Sequence, residues 1–390
     1  MSRGAAQPNY PLELSRRLVN LVAITIPARP AARPYPKRLP GVEARVDTTI
    51  FLFLLQDGVI NGAVYALVAI ATVLVFAVTR VILVPQGEFV AFTALTIAAL
   101  ENGKMPPTPW LLLALGVLAA VSELVRHFRE LNLRRVVRIA LFDLALPIAL
   151  LLLTRALAPM KLGQATNILI AIALITPMGP MMYRIAFEPL AHSSVLVLLM
   201  AAFGVHFSLI GLGLLFFGPE GTGTAPLSQV SFSLGDLVVT GQSVAVLIVT
   251  VVLLVLFALF FGRTLLGKAL RACSSNRIGA RLVGIPTSAA GQIAFALAAF
   301  LGAISGVLVG PLMTVFYDSG FLIGLKAFVA AILGGLVSYP MTVLAALGVG
   351  FAEALFSFWA SNFKEVLVFT LIIPVLAWRS VYAPHAEETE

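Results

Sequence analysis

The sequence is poor in charge. Only 11% of its 390 residues are Asp, Glu, Lys or Arg, against about 25% in soluble domains. It has one cysteine, Cys273, which excludes an internal disulfide and a cysteine-based metal cluster. Packing suits that residue better than redox chemistry. Acids are scarcer than bases, 18 against 26, yet the bases form no basic soluble domain, which argues against nucleic-acid binding. The short alternating segments of a membrane barrel are also absent.

What is present is apolar sequence. Hydrophobic residues make up 60% of the chain, in many windows of roughly 18–25 residues, each enough to cross about 30 Å of hydrocarbon. The chain reads as all-α, a polytopic helical membrane protein with about 9–11 transmembrane helices. Candidate spans lie near 50–79, 82–100, 109–122, 139–158, 166–183, 194–218, 235–261, 287–310, 322–337, 340–360 and 364–378. A basic, proline-rich tail covers 1–48, the transmembrane domain 49–380 and an acidic tail 381–390. Ser15-Arg16-Arg17 imitates a twin-arginine signal, but the apolar stretch Leu18 to Ile26 is short and runs into prolines. The segment reads as a tail, partly extended by those prolines.

The cations are clustered. Eight lie in 1–49, five in 123–138 (Arg126, Arg129, Arg134, Arg135, Arg138) and five in 263–281 (Arg263, Lys268, Arg271, Arg277, Arg281). Such clusters mark cytoplasmic loops and contact with anionic membrane lipids. With 263–285 inside, the loop 219–234, which has no Lys or Arg, falls outside, and 123–138 falls inside. The same count places the basic N-terminal tail outside, against the positive-inside rule. Either 80–100 holds a re-entrant element, with Pro85 at the break, or one span is miscounted.

The island Arg263 to Ile285 contains no acid and many small residues. Gly267, Ala269, Ala272, Gly279, Ala280 and Gly284 would keep its surface thin for close packing, and Asn276 can cap a helical turn. It is built to touch something in the cytoplasm, or it is a basic loop that only fixes topology. Gly262-x4-Gly267-Lys268 imitates a phosphate-binding loop, but Ala269 stands where Ser or Thr is needed, and the segment follows a membrane helix rather than a strand. Nucleotide binding by this segment is therefore rejected.

Intramembrane polar residues need partners. Lys326 and Glu353 differ in depth by about 5 Å if their spans are antiparallel, so they are expected to pair or share a polar cluster. Gln86 and Glu88, after Pro85 and beside Gly87, are the candidate translocation path, because a broken helix exposes backbone to a solute. An internally satisfied kink is the plainer alternative. Asp143 and Arg155 are too far apart on one helix to pair, and His206, alone on an apolar helix, reads as a hydrogen-bonded packing residue rather than a ligand. Gly302, Gly306 and Gly310 form a small-residue stripe, for packing within the subunit or for lining the path. Tyr317 and Asp318 read as an outer loop.

The stretches DGVINGAVYALVAIATVLVFAVTRVILVPQGEF (57–89), FGPEGTG (217–223), LGKALRACSSNRIGARLVGI (266–285), GFLIGLKAFVAAILGGLVSYP (320–340) and GFAEALFSFWASNFKEVLVFTLIIPVLAWR (350–379) carry a resemblance. In that order they resemble the membrane permease subunits of ABC importers for branched-chain amino acids and related amides. The resemblance covers about 50–110 and 166–380. It implies an ABC importer permease fold in the inner membrane, no catalytic site and no cofactor or metal. The implied partners are ABC ATPase subunits, a second permease subunit and a periplasmic solute-binding protein. Gly267, Ala269, Arg271, Ala272, Asn276, Ala280, Arg281 and Gly284 would then belong to the ATPase-coupling helix, with Arg271 and Arg281 meeting acidic groups of the ATPase. The chain departs from the family at Val84-Pro85-Gln86-Gly87, where relatives carry an Asn-Phe-Ala-His-Gly type turn, and 111–165 is longer than the family requires. The rival class is an ion-coupled secondary transporter or channel, which would need a relay among Glu88, Asp143 and Glu353.

Overall fold

The computed structural model describes residues 48–126, 133–160, 163–234 and 237–382. Arg129, the tail before Thr48 and the acidic tail from Ala383 lie outside the described residues. The long helix α1 (Thr48–Thr79) is followed by α2 (Gln86–Glu101) and α3 (Thr108–Arg126). Helices α4 (Leu133–Ile139) and α5 (Leu146–Leu157) are joined by a wide helical turn, Ala140–Ala145. Helices α6 (Gln164–Ile175) and α7 (Met178–Met182) run into a second wide turn, Tyr183–Phe187. Then come α8 (Val195–Phe217), the hairpin β1 (Ser231–Leu234) and β2 (Leu237–Thr240), and α9 (Gly241–Arg263). The short α10 (Leu265–Ser275) and α11 (Arg277–Leu282) precede α12 (Thr287–Val309), α13 (Ser319–Leu333) and α14 (Tyr339–Trp359). The described chain finishes with α15 (Lys364–Thr370) and α16 (Ile372–Tyr382).

Among the described residues, eight helical stretches are long and apolar enough to cross a membrane, and 319–333 is a shorter apolar helix. Several boundaries differ from the sequence reading for local reasons. Residues 237–240 pair as a strand with 231–234, with Ser231 opposite Thr240. The helix expected from 235 therefore begins at Gly241, where the Thr240 hydroxyl accepts from the Ser243 N–H at 3.3 Å. Pro147 supplies no N–H to the carbonyl four residues back, that of Asp143, and the helix widens there. The expected span 364–378 is two short helices.

The two ends of the bundle can be told apart. At one end the Gln56 amide donates to the Val238 carbonyl, the Ala225 N–H donates to the Glu101 carboxylate at 3.0 Å, and Thr222 bridges to Val315. At the other, Leu74 and Val78 pack with Phe261, Leu270 and Cys273. There too Arg277 donates to the Ala191 carbonyl and Arg126 to that of Arg184. The second end carries the arginines and is cytoplasmic by the positive-inside rule. Helix α1 therefore begins at the end opposite those arginines; the tail before it lies outside the described residues.

The inner part of the bundle is packed backbone to backbone. Helices α1 and α14 run antiparallel, with Gly58 against the Phe351 backbone, Gly62 against that of Leu347, and Gly350 against both glycines. Helix α2 is a half-crossing. After Thr79 the chain leaves helical geometry, with Arg80 in the left-handed region at φ 63°, and restarts as a helix only at Gln86. The Gln86 amide donates to the Ala298 carbonyl at 2.9 Å, near the middle of α12, so α2 begins half-way through the bundle. The glycine stripe on α12 packs within the subunit: Gly302 faces Phe89 and Gln86, Gly306 faces Val90 and Thr93, and Gly310 faces Thr224.

Helix α13 is also short, and its first turn crosses that of α2. A Cβ on Gly87 would strike the Gly320 carbonyl, and a Cβ on Gly320 would strike that of Gly87. Gly87→Ala or Gly320→Ala should cut the monodisperse yield of purified protein by about an order of magnitude, because backbone overlap has no side chain to move aside. Gly211→Ala, at a glycine with open space around it, should leave the yield unchanged in the same gel-filtration assay.

Candidate functional site

Three polar constellations are built on this frame. The first lies at the α2–α13 crossing. Glu88 and His206 are both buried, and the His206 Nδ1 and the Glu88 Oε1 are hydrogen-bonded at 2.6 Å. The His206 ring lies 4.6 Å from that of Phe321. Among the described residues, the Gln86 Oε1 and the second Glu88 oxygen are buried without a hydrogen-bond partner. Phe321 separates two grooves. Towards the outside, His206, Phe207, Ile210, Tyr317 and Asp318 line a space of about 530 Å³. Towards the cytoplasm, Leu83, Val84, Leu199, Phe203 and Phe328 line an apolar one of about 170 Å³. Pro85, Gln86, Gly87 and Glu88 thus lie beside the two grooves that Phe321 separates. His206 is the hydrogen-bonded packing residue expected, and the structure identifies its partner as Glu88. The usable signal was that two buried polar residues in lipid require each other.

The second constellation joins α1, α13, α14 and α15. Lys326 Nζ donates to Glu353 Oε1 at 2.5 Å and to Glu365 Oε1 at 3.0 Å. The Tyr65 hydroxyl donates to the other Glu353 oxygen at 2.6 Å. The sequence supplied the Lys326–Glu353 half of this cluster. Tyr65 and Glu365 were missed, because neither is remarkable without knowing that α1 and α14 are neighbours. Asp143 has a partner other than Arg155. Arg184 grips both of its oxygens, one at 2.8 Å, and also reaches Glu123 at 3.0 Å, which Arg138 holds from its far side at 2.7 Å.

The third is the cytoplasmic elbow. Thr264 caps α10 by accepting from the Gly267 N–H at 3.0 Å, and Asn276 caps α11 by accepting from the Gly279 N–H at 2.7 Å. The expected single helix is therefore two, hinged at Asn276. Gly284, at φ +86°, ends the second one, with its N–H on the Arg281 carbonyl. Gly267, Leu270 and Cys273 form the buried face, and Ala280 is buried as well, while Ala269 and Ala272 are half-buried. Burial pushes the Cys273 thiol up in pKa, with Arg277 opposing. Arg281 turns back to the Thr287 hydroxyl at 3.2 Å, and Arg271 is exposed at the surface. The opposite face is apolar yet uncovered: Ile278 is 75% exposed, Leu282 83% and Val283 77%. Phe261, at the root of the elbow, stacks on Tyr339 at 5.4 Å, which links it to the start of α14.

A helical bundle with eight apolar helices of membrane-crossing length among the described residues defines a multi-pass membrane protein. The family model described as the permease component of the branched-chain amino acid transport system matches residues 139–376. The high-affinity branched-chain amino acid transport system permease protein LivH of Escherichia coli K12 is 27% identical over 345 residues, 84% of this chain and 94% of the relative. LivH of Salmonella typhimurium is 29% identical over 342 residues, and BraD of Pseudomonas aeruginosa 27% over 342, each with the same coverage. No solved structure matches. The chain belongs to the branched-chain amino acid transport permease family, and it is a multi-pass protein of the inner membrane.

Removing one partner of the Lys326 cluster strands buried charge, which costs about 3–5 kcal/mol. Lys326→Met should therefore lower the thermal midpoint in detergent sharply. Lys326→Met with Glu353→Met should regain much of the loss; a double variant as unstable as the sum of the two singles would show the pair to be uncoupled.

Proposed function

We propose that this chain is the translocation subunit of an ABC importer for branched-chain amino acids or similar small amino acids and amides. A second permease subunit would complete the path, ABC ATPase subunits would dock on the cytoplasmic elbow, and a periplasmic solute-binding protein would deliver the solute. The observation that carries the reading is the elbow. It presents exposed Ile278, Leu282 and Val283 on a capped, basic segment beyond the ends of the membrane helices, where lipid cannot cover them, and an apolar patch in that position marks a protein contact. Arg271 adds charge to the same docking face.

The path itself runs past Pro85–Glu88 and Phe321. Asp318 and the amino end of α13 offer opposite charges within one turn, which suits a zwitterion entering the outer groove. Phe321 and the Glu88–His206 pair close the way to the inner groove. ATP-driven movement of the elbow reaches this barrier through Phe261 and Tyr339.

In proteoliposomes with ATPase and binding protein, Leu282→Asp should reduce ATP-linked uptake by about tenfold or more, through loss of the apolar contact, with an unchanged gel-filtration profile. Uptake at the wild-type rate would remove the assignment of the docking face. Sidedness is testable at the same residue. Cys273, being buried, should react slowly with an impermeant maleimide from either side. In a Cys273→Ser background, Leu282→Cys should label rapidly, and only from the cytoplasmic side.

A further inference from the structure

The Arg184 cluster sits between two cavities of opposite character. One, about 380 Å³, is polar and lies at the cytoplasmic end, lined by Ser122, Arg126, Glu188 and Ser288 among others. The other, about 350 Å³, is largely apolar and is lined by Phe142, Leu146, Pro177, Pro180, Met181 and Ala296. Arg138, Arg184 and Gln292 line both, so the two form one cleft with a wet head and a dry stem. Along α12 the cleft runs from Ser288 to Ala296, about 12 Å at the helical rise, from the membrane surface into the depth of the hydrocarbon.

The charge pattern of the head is specific. Arg184 is matched by Asp143 and Glu123, and Arg138 by Glu123. Two lining groups have no ion-pair partner among the described residues. Arg126 donates to the Ser122 hydroxyl and the Arg184 carbonyl, and Glu188 accepts from the Ser288 hydroxyl. One uncompensated cation and one uncompensated anion face the same polar space. The guanidinium of Arg138 adds surplus donors, because its side chain is 59% exposed. A simple anion would be repelled by Glu188 and has no use for the apolar stem.

We propose that this cleft holds one glycerophospholipid with a zwitterionic, primary-ammonium head. Its phosphate sits on Arg126 and Arg138, its ammonium on Glu188, and one acyl chain fills the stem beside Ala296. The lipid bridges α3 and the wide turn before α5 to the first two turns of α12, the helix that directly follows the cytoplasmic elbow. It thus braces the otherwise thinly packed segment 111–165 against the part of the molecule that moves.

Native mass spectrometry of the full-length chain, released from mixed phosphatidylethanolamine and phosphatidylglycerol nanodiscs, tests this. One phosphatidylethanolamine per chain should be retained, at least tenfold over phosphatidylglycerol. Ala296→Phe, which plugs the stem, should abolish retention, and Arg126→Ala should weaken it by about tenfold. Glu188→Gln should switch the preference towards phosphatidylglycerol while the chain still elutes as folded protein. Wild-type protein that retains no lipid, that prefers phosphatidylglycerol, or whose retention is indifferent to Ala296→Phe and Arg126→Ala would overturn the proposal.

Discussion

The fold depends on one contact without side chains. Helices α2 and α13 meet at Gly87 and Gly320, where each backbone occupies the place a Cβ would need. Both helices are short because of this contact: each begins inside the bundle and not at its surface. Non-helical backbone at that depth is tolerated only where protein or a cavity surrounds it, and here α1, α12 and α14 enclose it. The close seams of Gly58 and Gly62 of α1 against α14, and of Gly302 and Gly306 of α12 against α2, bring the surrounding helices near enough. In lipid, where apolar burial between helices contributes little, approach of this kind is a main source of association.

The polar residues follow from the same geometry. A crossing of two interrupted helices leaves unsatisfied groups, and Gln86 and Glu88 lie in the first turn of one of them. His206 on α8 supplies the partner for Glu88, and Phe321 on α13 covers the pair. The Lys326 cluster lies on the other side of α13 and fixes that helix to α1, α14 and α15. A single short helix therefore borders both grooves on one face and is held by charge on another.

Much of this was legible in the sequence, and the limits have physical causes. Most of the long spans and the break at Pro85 are local or compositional signals, so they could be read directly. The Lys326–Glu353 pairing followed from depth alone, because consecutive antiparallel helices fix relative height. Asn276 as a cap was likewise a local inference. His206 with Glu88, Arg184 with Asp143, and Tyr65 with Glu353 could not be read, since each joins helices far apart in sequence whose adjacency no local pattern encodes. The β-hairpin was hidden by its apolar strand, which merges with the helix that follows. The exposed apolar face of the elbow was visible only as scattered Leu, Ile and Val among arginines until the two capped helices set them on one side.

A junction made of two glycines has little to resist rotation about itself, since no interlocking side chains must be dragged past one another. Helix α13 is about 22 Å long and is tied a second time six residues beyond the junction, where Lys326 meets Glu353 and Glu365. The charge cluster thus supplies the hold that a glycine junction lacks, and Phe321, between the two attachments, is carried by both.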